Sequence, residues 1–334
     1  KVMNKLRNIC FAACVGMLLQ ACGGSSKSTI NKVDATKLPI KEVHLIEPDK
    51  IADYITKFKT QHAQVELQFE GVQYTMAFVD FGADQKSVVA EFEKGLVTFG
   101  FDQSENEPLA TLAIVVKNQA GDSVLKGVNI TLASEGDNFV YEGNVQNVLN
   151  QDMFNVRMVI NESFFGAGNS RIEVIDNTAT LNGTLGTTTY IQMDELIKNN
   201  TNVDTLILQE IDGSINDAIN MHTGRLIRNA KLTTVVKSNG DINSGGVDLF
   251  AAGFKRKYNK GGKVGVHSWC CVKGKSAHLL SKDDAAHGAQ LTFFRELLGN
   301  ELGPEFYFFT LNAAPASDIH VMTEAELNKY LITK

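Results

Sequence analysis

The chain has 334 residues, a hydrophobic fraction of 43% and a formal net charge of −6. That much apolar material supports sizeable cores, and the length suits two domains better than one. A negative balance argues against nucleic acid as a partner, which needs a basic face.

Residues 1–21 do not read as part of a fold. Lys1, Lys5 and Arg7 make a basic start, and the apolar stretch Ile9 to Leu19 is too short to stay in a bilayer as a spanning helix. Met3 is expected to be the natural start, with Lys1-Val2 upstream of it. The segment closes on Leu19-Gln20-Ala21-Cys22-Gly23-Gly24-Ser25-Ser26, small residues before a cysteine and a Gly/Ser tail after it. This resembles a bacterial lipoprotein signal. The resemblance implies cleavage before Cys22, acylation of its thiol and amine, and attachment to a membrane through the lipid anchor. It places the protein in the bacterial cell envelope. Gly23 where aspartate could stand points by analogy to the outer membrane, facing the periplasm. The alternative is an ordinary secretory signal in which Cys22 is incidental. Loss of the leader's three cations takes the formal charge from −6 to near −9. Residues 22–35 read as a flexible tether.

Residues 36–172 read as a mainly β accessory domain. Ile51, Tyr54, Ile55 and Phe58 recur at helical spacing after Pro48. Val65, Leu67 and Phe69 alternate, Glu70-Gly71 turns, and Val72, Tyr74, Met76 and Phe78 alternate again, as in a hairpin. Val88, Val89, Phe92 and Leu96 suit a second helix. Runs at Leu109 to Val116, Val128 to Leu132, Phe139 to Val145 and Phe154 to Ile160 follow, separated by Asn/Asp/Gly turns. A small sandwich or an α+β unit is expected. Its two histidines, His44 and His62, have no chemical partners nearby in sequence.

Residues 176–334 read as α/β. Thr178 to Leu181 is a first strand, and Met193 to Ile197 lies in a crossover helix. Thr205 to Leu208 is an apolar run ending at Asp212-Gly213-Ser214. Ile215, Ala218, Ile219, His222 and Leu226 then line one helix face. Leu232 to Val236 is the next run. A Gly-rich turn from Gly240 to Gly246 follows it, then a short helix, Val247 to Ala252, and the run Lys263 to His267. Alternation of this kind marks parallel βαβ units. Lys255, Arg256, Lys257, Lys260 and Lys263 read as the solvated face of an exposed hairpin. Cys270 and Cys271 read as separate thiols, because adjacent cysteines do not form an ordinary disulfide without strain. Asp283 to Leu298 reads as a helix with His278 and His287 at its surface or cap.

Small-molecule chemistry in such sheets sits at the carboxyl ends of the strands. Gly213, Ser244 and His267 all fall there. Ser244 lies in an Asn-Ser-Gly-Gly turn leading into a helix, where its hydroxyl is exposed and the Gly245 N–H points at any oxyanion on its substrate. Such a serine also reads as a plain N-cap. His267 ends a strand one helix and one strand later, where a histidine reads either as a packed polar residue or as a general base.

At these residues the sequence resembles the proteolytic subunit of Clp protease, which shares its fold with the crotonase superfamily. Three stretches carry the likeness: Leu206 to Gly213 as the oxyanion turn, Asn243-Ser244-Gly245 with Leu249 to Gly253 as the nucleophile turn and its helix, and Gly265-Val266-His267-Ser268 as the histidine strand. It covers roughly residues 176–334. The resemblance implies a Clp-protease/crotonase-like ββα superhelix and a Ser-His-Asp serine hydrolase, most naturally a peptidase acting on peptide or protein substrates. Ser244 would be nucleophile, His267 base, and Asp318 the orienting acid, since it precedes a helix that Thr323 and Glu326 cap. Asp283 and Asp284 are weaker candidates. Gly213 and Gly245 would hold the oxyanion. No metal or organic cofactor is implied, and a homo-oligomer is allowed by analogy with ring- and trimer-forming relatives. Two departures stand out. Asp212 replaces the first glycine of the oxyanion turn, where a carboxylate would oppose the developing charge, and Gly245 stands where the family often carries a larger side chain. The rival readings are a non-catalytic binding or scaffold lipoprotein and an acyl-CoA enzyme of the crotonase type.

Overall fold

The computed structural model describes Leu38 and residues 41–332, apart from positions 83, 104, 120 and 273. The leader, Cys22 and the tether lie outside the described residues. Two sheets organise the remainder.

The first sheet has nine strands, from Glu66–Phe69 to Met153–Ile160. From Ala77–Phe81 onward each strand pairs antiparallel with the next, and the last returns to Glu66–Phe69. It is one curled sheet rather than the two facing sheets of a sandwich. Strands far apart in the ladder meet across its interior: the Phe69 and Phe92 rings lie 6.4 Å apart, and Tyr141 Oη donates to the Gly100 carbonyl at 2.6 Å. The helix expected over Val88 to Leu96 is instead two strands, Ser87–Phe92 and Gly95–Asp102, paired to each other. The misleading signal has a simple origin. Positions 88, 92 and 96 are four apart, which satisfies one helix face and one strand face equally. Burial of Val88, Ala90 and Phe92 with exposure of Glu91 shows that the period is two. A separate apolar cluster containing Phe78, Phe99, Tyr141 and Phe164 fills this unit.

The expected early helix forms over Ile51–His62, after a 3-10 turn with Pro48 in its first turn. It bridges the two units. Asn161 Nδ2 donates to the Gln61 carbonyl at 2.9 Å, while Tyr54 Oη meets Thr187 Oγ1 at 3.1 Å and accepts from Asn216 Nδ2 at 2.8 Å.

The second sheet runs in the spatial order Arg171–Ile175, Thr178–Asn182, Thr205–Ile211, Thr233–Asn243, Lys263–Val266, His320–Val321. Its interior pairs are parallel and its two outer pairs antiparallel. Helices Thr187–Asn199, Asp217–Asn229 and Gly245–Ala252 connect the parallel strands, as the alternating pattern requires. The protein is therefore a mixed α/β chain with a mainly β unit ahead of the α/β unit.

Four expectations change in this unit. Gly240 to Asn243 is not a turn but the second half of an eleven-residue strand, Thr233–Asn243. That strand changes partner midway: Thr233 to Val236 pair with Lys255–Tyr258, and Asp241 to Asn243 pair with Lys263 to Gly265. The basic segment is therefore a parallel strand, not a hairpin, and Arg256 is half-buried, donating to the carbonyls of Ala251, Gly253 and Leu331. Cys270 and Cys271 are joined as a disulfide rather than separate thiols. His287 stands at the N-cap position of Gly288–Leu298, one of the two places expected for it, but is buried rather than at the surface, with Nδ1 2.7 Å from Tyr307 Oη. Leu302–Ala313 is a further helix that the sequence reading leaves unassigned.

Candidate active site

The strand Thr205–Ile211 leads into Asp212 and Gly213. Gly213 has φ 150°, and a Cβ built on it would lie 3.4 Å from Ser244 Cβ. Glycine thus lets this turn approach Ser244 closely. The turn is pinned from its other side: Leu185 N–H donates to the Gly213 carbonyl at 2.9 Å, and Ile215 N–H to the Leu185 carbonyl at 3.0 Å. The Asp212 side chain is exposed and does not line the cavity described below.

Ser244 joins Thr233–Asn243 to the helix Gly245–Ala252 with φ 51° and ψ −119°. A residue with a Cβ rarely adopts that conformation, and where one does the site is often functional. The side chain makes no cap bond to the helix that follows, which sets aside the plain N-cap reading. The Ser244 N–H donates to the Gly265 carbonyl at 2.9 Å, tying the serine to the strand that carries His267. Gly245 opens the helix, where N–H groups have no intrahelical acceptor. Its Cβ, if present, would fall 2.5 Å from Ser214 Cβ and 2.9 Å from Asn220 Nδ2. Glycine is needed there because Ser214 and Asn220 already occupy the space.

His267 follows Lys263–Val266, and its Nδ1 lies 2.9 Å from the Ser268 carbonyl. A carbonyl only accepts, so Nδ1 carries the hydrogen and Nε2 is left as the basic nitrogen. Ser244 and His267 line one cavity of about 50 Å³, together with Asp217, Asp248, Trp269 and Tyr307. No hydrogen bond joins Ser244 to His267 among the described residues; free sites often hold such pairs apart until substrate binds.

Asp318 does not join them. The antiparallel pairing of Val266 with His320 brings its backbone near the end of the histidine strand, but its side chain is exposed and accepts the Ile319 N–H at 2.8 Å. The capping box at Thr323 and Glu326 forms as expected, over the helix Glu324–Tyr330, yet its start lies five residues beyond Asp318 with a short strand between. Asp283 is likewise elsewhere, bonded to Ser281, and Asp284 caps Ala286.

The carboxylates in the cavity are Asp217 and Asp248, which the sequence reading missed. Asp217 is the first residue of the helix Asp217–Asn229, and Asp248 lies in the first turn of Gly245–Ala252. Burial pushes the Asp217 carboxyl up from its usual range, against the opposing pull of Ser214 and His267. Burial, then the charge of Asp217, holds Asp248 well above the usual carboxylate range. Both fall in the first turn of helices that come after strands, and that position is the available signal.

No protein-family model and no curated protein matches the chain. Solved structures do. A mutant of the 1510-N membrane-bound stomatin-specific protease in complex with a substrate peptide is similar at 16% identity, covering 46% of this chain and 70% of that one, with a TM-score of 0.33. An enoyl-CoA hydratase from Bacillus anthracis is similar at 11% identity over 49% of this chain and 68% of its own, TM-score 0.32. Another from Geobacillus kaustophilus gives 10% identity over 61% and 69%, TM-score 0.31. The chemistry below is argued from this chain's own geometry.

Proposed function

We propose that the chain is a serine hydrolase, a peptidase, with Ser244 as nucleophile. The observation that carries this reading is the backbone of Ser244, held at φ 51° between strand and helix in a cavity shared with His267. Ser244 Oγ attacks the acyl carbonyl carbon while His267 Nε2 takes its proton. Gly213 and Gly245 N–H groups hold the oxyanion. The tetrahedral intermediate collapses, the acyl carbon–nitrogen bond breaks, and Nε2–H protonates the departing amine. Water, deprotonated by the same nitrogen, then releases the acyl group from Ser244.

Orientation of the imidazole falls to the Ser268 carbonyl, and Asp217 is the acid whose field reaches the imidazolium that forms. Asp318 takes no part in this reading. The scaffold alternative rests on Asp212, whose side chain is exposed. The acyl-CoA alternative would place CoA on an exported chain. The leader, acylated Cys22 and an envelope location belong to the same proposal, with the tether holding the hydrolase near the membrane surface. A fluorophosphonate probe should label the wild-type chain and not Ser244→Ala. Equal labelling of the two would overturn the assignment, and metabolic incorporation of palmitate that is lost in Cys22→Ala tests the anchor.

A further inference from the structure

Asp248 poses a problem of charge. Enclosed carboxylates normally meet a cation or several N–H and O–H donors, because an unpaired buried charge is costly. Asp248 meets neither among the described residues. Among the described residues the charge that acts on it is that of Asp217, a second carboxylate, which raises its carboxyl further. The polar atoms around the cavity do not help. Trp269 Nε1–H donates to Tyr307 Oη at 2.9 Å, and Tyr307 Oη lies 2.7 Å from His287 Nδ1. Indole nitrogen only donates, so the Trp269 hydrogen is spent on the tyrosine oxygen, and no hydrogen bond joins Tyr307 to Asp248 among the described residues. The remaining wall includes the buried ring of Phe294.

One carboxyl without a counter-charge, Asp248, beside a second that Ser214 and His267 hold, Asp217, in a cavity whose wall includes aromatic rings, Gln290, Thr310 and Ser244, forms a receptor for a cation. We infer that this cavity is the specificity pocket of the proposed hydrolase and that it takes the ammonium of a lysine-type side chain on the acyl side of the scissile bond. The volume, about 50 Å³, sets the size of the guest. A water needs about 10–15 Å³ by this kind of measure, so an ammonium with its last methylenes fits and an aromatic side chain does not. Binding supplies the positive charge that Asp248 lacks. A pocket built around an unpaired carboxyl also rejects neutral side chains, since they leave that group without the cation it lacks.

This inference rests on the serine-hydrolase reading for its place in a reaction, but its first test does not. Trp269 is the chain's single tryptophan, so intrinsic fluorescence reports on the pocket alone. Titration with n-butylammonium should give a saturable change in the wild-type chain, n-butanol should give none, and Asp248→Asn should weaken the response at least tenfold. In the second test, n-butylammonium should slow fluorophosphonate labelling of Ser244. In the third, peptides differing only in the acyl-side residue should show kcat/KM for lysine at least tenfold above leucine, a ratio that falls toward one in Asp248→Asn. A fluorescence response without any labelling would keep the cation pocket and discard the hydrolase. Labelling with no fluorescence response to butylammonium, or with one equal to that of butanol, would overturn the inference and leave Asp248 as a protonated acid of structural use. The wild-type comparison of butylammonium with butanol needs no variant, so a variant that fails to fold leaves the test intact.

Discussion

Replacing Ser244 with glycine should make the protein more stable while abolishing turnover. The serine holds φ 51° and ψ −119°, and a side-chain-bearing residue kept in a sparsely populated backbone region costs on the order of 1–3 kcal/mol. Glycine reaches that region without the steric penalty. Against this stands the greater freedom of glycine in the unfolded chain, about 0.4–1 kcal/mol. The proper reference is Ser244→Ala, which also lacks the hydroxyl but keeps the Cβ and hence the strain. Centred values put the glycine variant about 1 kcal/mol above the alanine variant, which corresponds to a rise in Tm of about 2–4 °C for a unit of this size. Urea denaturation followed by Trp269 fluorescence measures it, with unchanged m-values as the check on the unfolded state. A glycine variant less stable than alanine by its ordinary entropic handicap would show that the serine is not strained, and would remove the main support for its role.

Other substitutions probe the same site. Gly245→Ala would drive its Cβ to 2.5 Å from Ser214 Cβ; overpacking of this kind costs about 1–3 kcal/mol, and displacement of the adjoining N–H should lower kcat about 100-fold, so a variant with wild-type kcat refutes the oxyanion assignment. Asp318→Asn should lower kcat less than tenfold, where loss of an orienting triad carboxylate costs roughly 10⁴; a loss of that size would restore Asp318 to the mechanism. Burial first, then Asp217, raises the Asp248 carboxyl, so the folded state binds its proton more tightly than the unfolded chain does. The stabilisation this gives is complete below the unfolded carboxylate value of about 4 and is lost as pH rises through the folded value. Asp248→Asn, which cannot ionise, should therefore gain more Tm over wild type at pH 8 than at pH 4, and equal differences at both would count against an enclosed, uncompensated carboxylate.

The sequence carried the α/β unit well, because its strands and helices differ in period and sit between clear stops. The places of Ser244, His267, Gly213 and Gly245 in the fold are legible for the same reason: each follows a strand or opens a helix, where position in the chain fixes position in the sheet. The β unit was read less well where spacings of four served both periods, as at Val88, Phe92 and Leu96. Asp318 was attractive because a capping box lay just beyond it. The box was real, but whether a carboxylate turns inward or takes the next N–H is decided by side-chain packing, which no spacing reveals. Asp217 and Asp248 were passed over because acids in the first turn of a helix have an ordinary role there with the helix dipole. Asp217 is set apart only by sharing a cavity with His267, and Asp248 by lining that cavity without a partner among the described residues.

The partner exchange along Thr233–Asn243 has a consequence for how the chemistry could be altered. Asn243 pairs with Gly265, and Ser244 N–H bonds to the carbonyl of that same glycine. Ser244 and His267, the proposed nucleophile and base, therefore hang from a single rung, one residue past it on one side and two on the other. Lengthening the connection around Asn259 to Gly262, or exchanging the nine-stranded unit for another, leaves that rung untouched. The spacing of the two groups is inherited from hydrogen-bond geometry rather than from loop length, which makes the surroundings free to vary while the reaction centre stays in register.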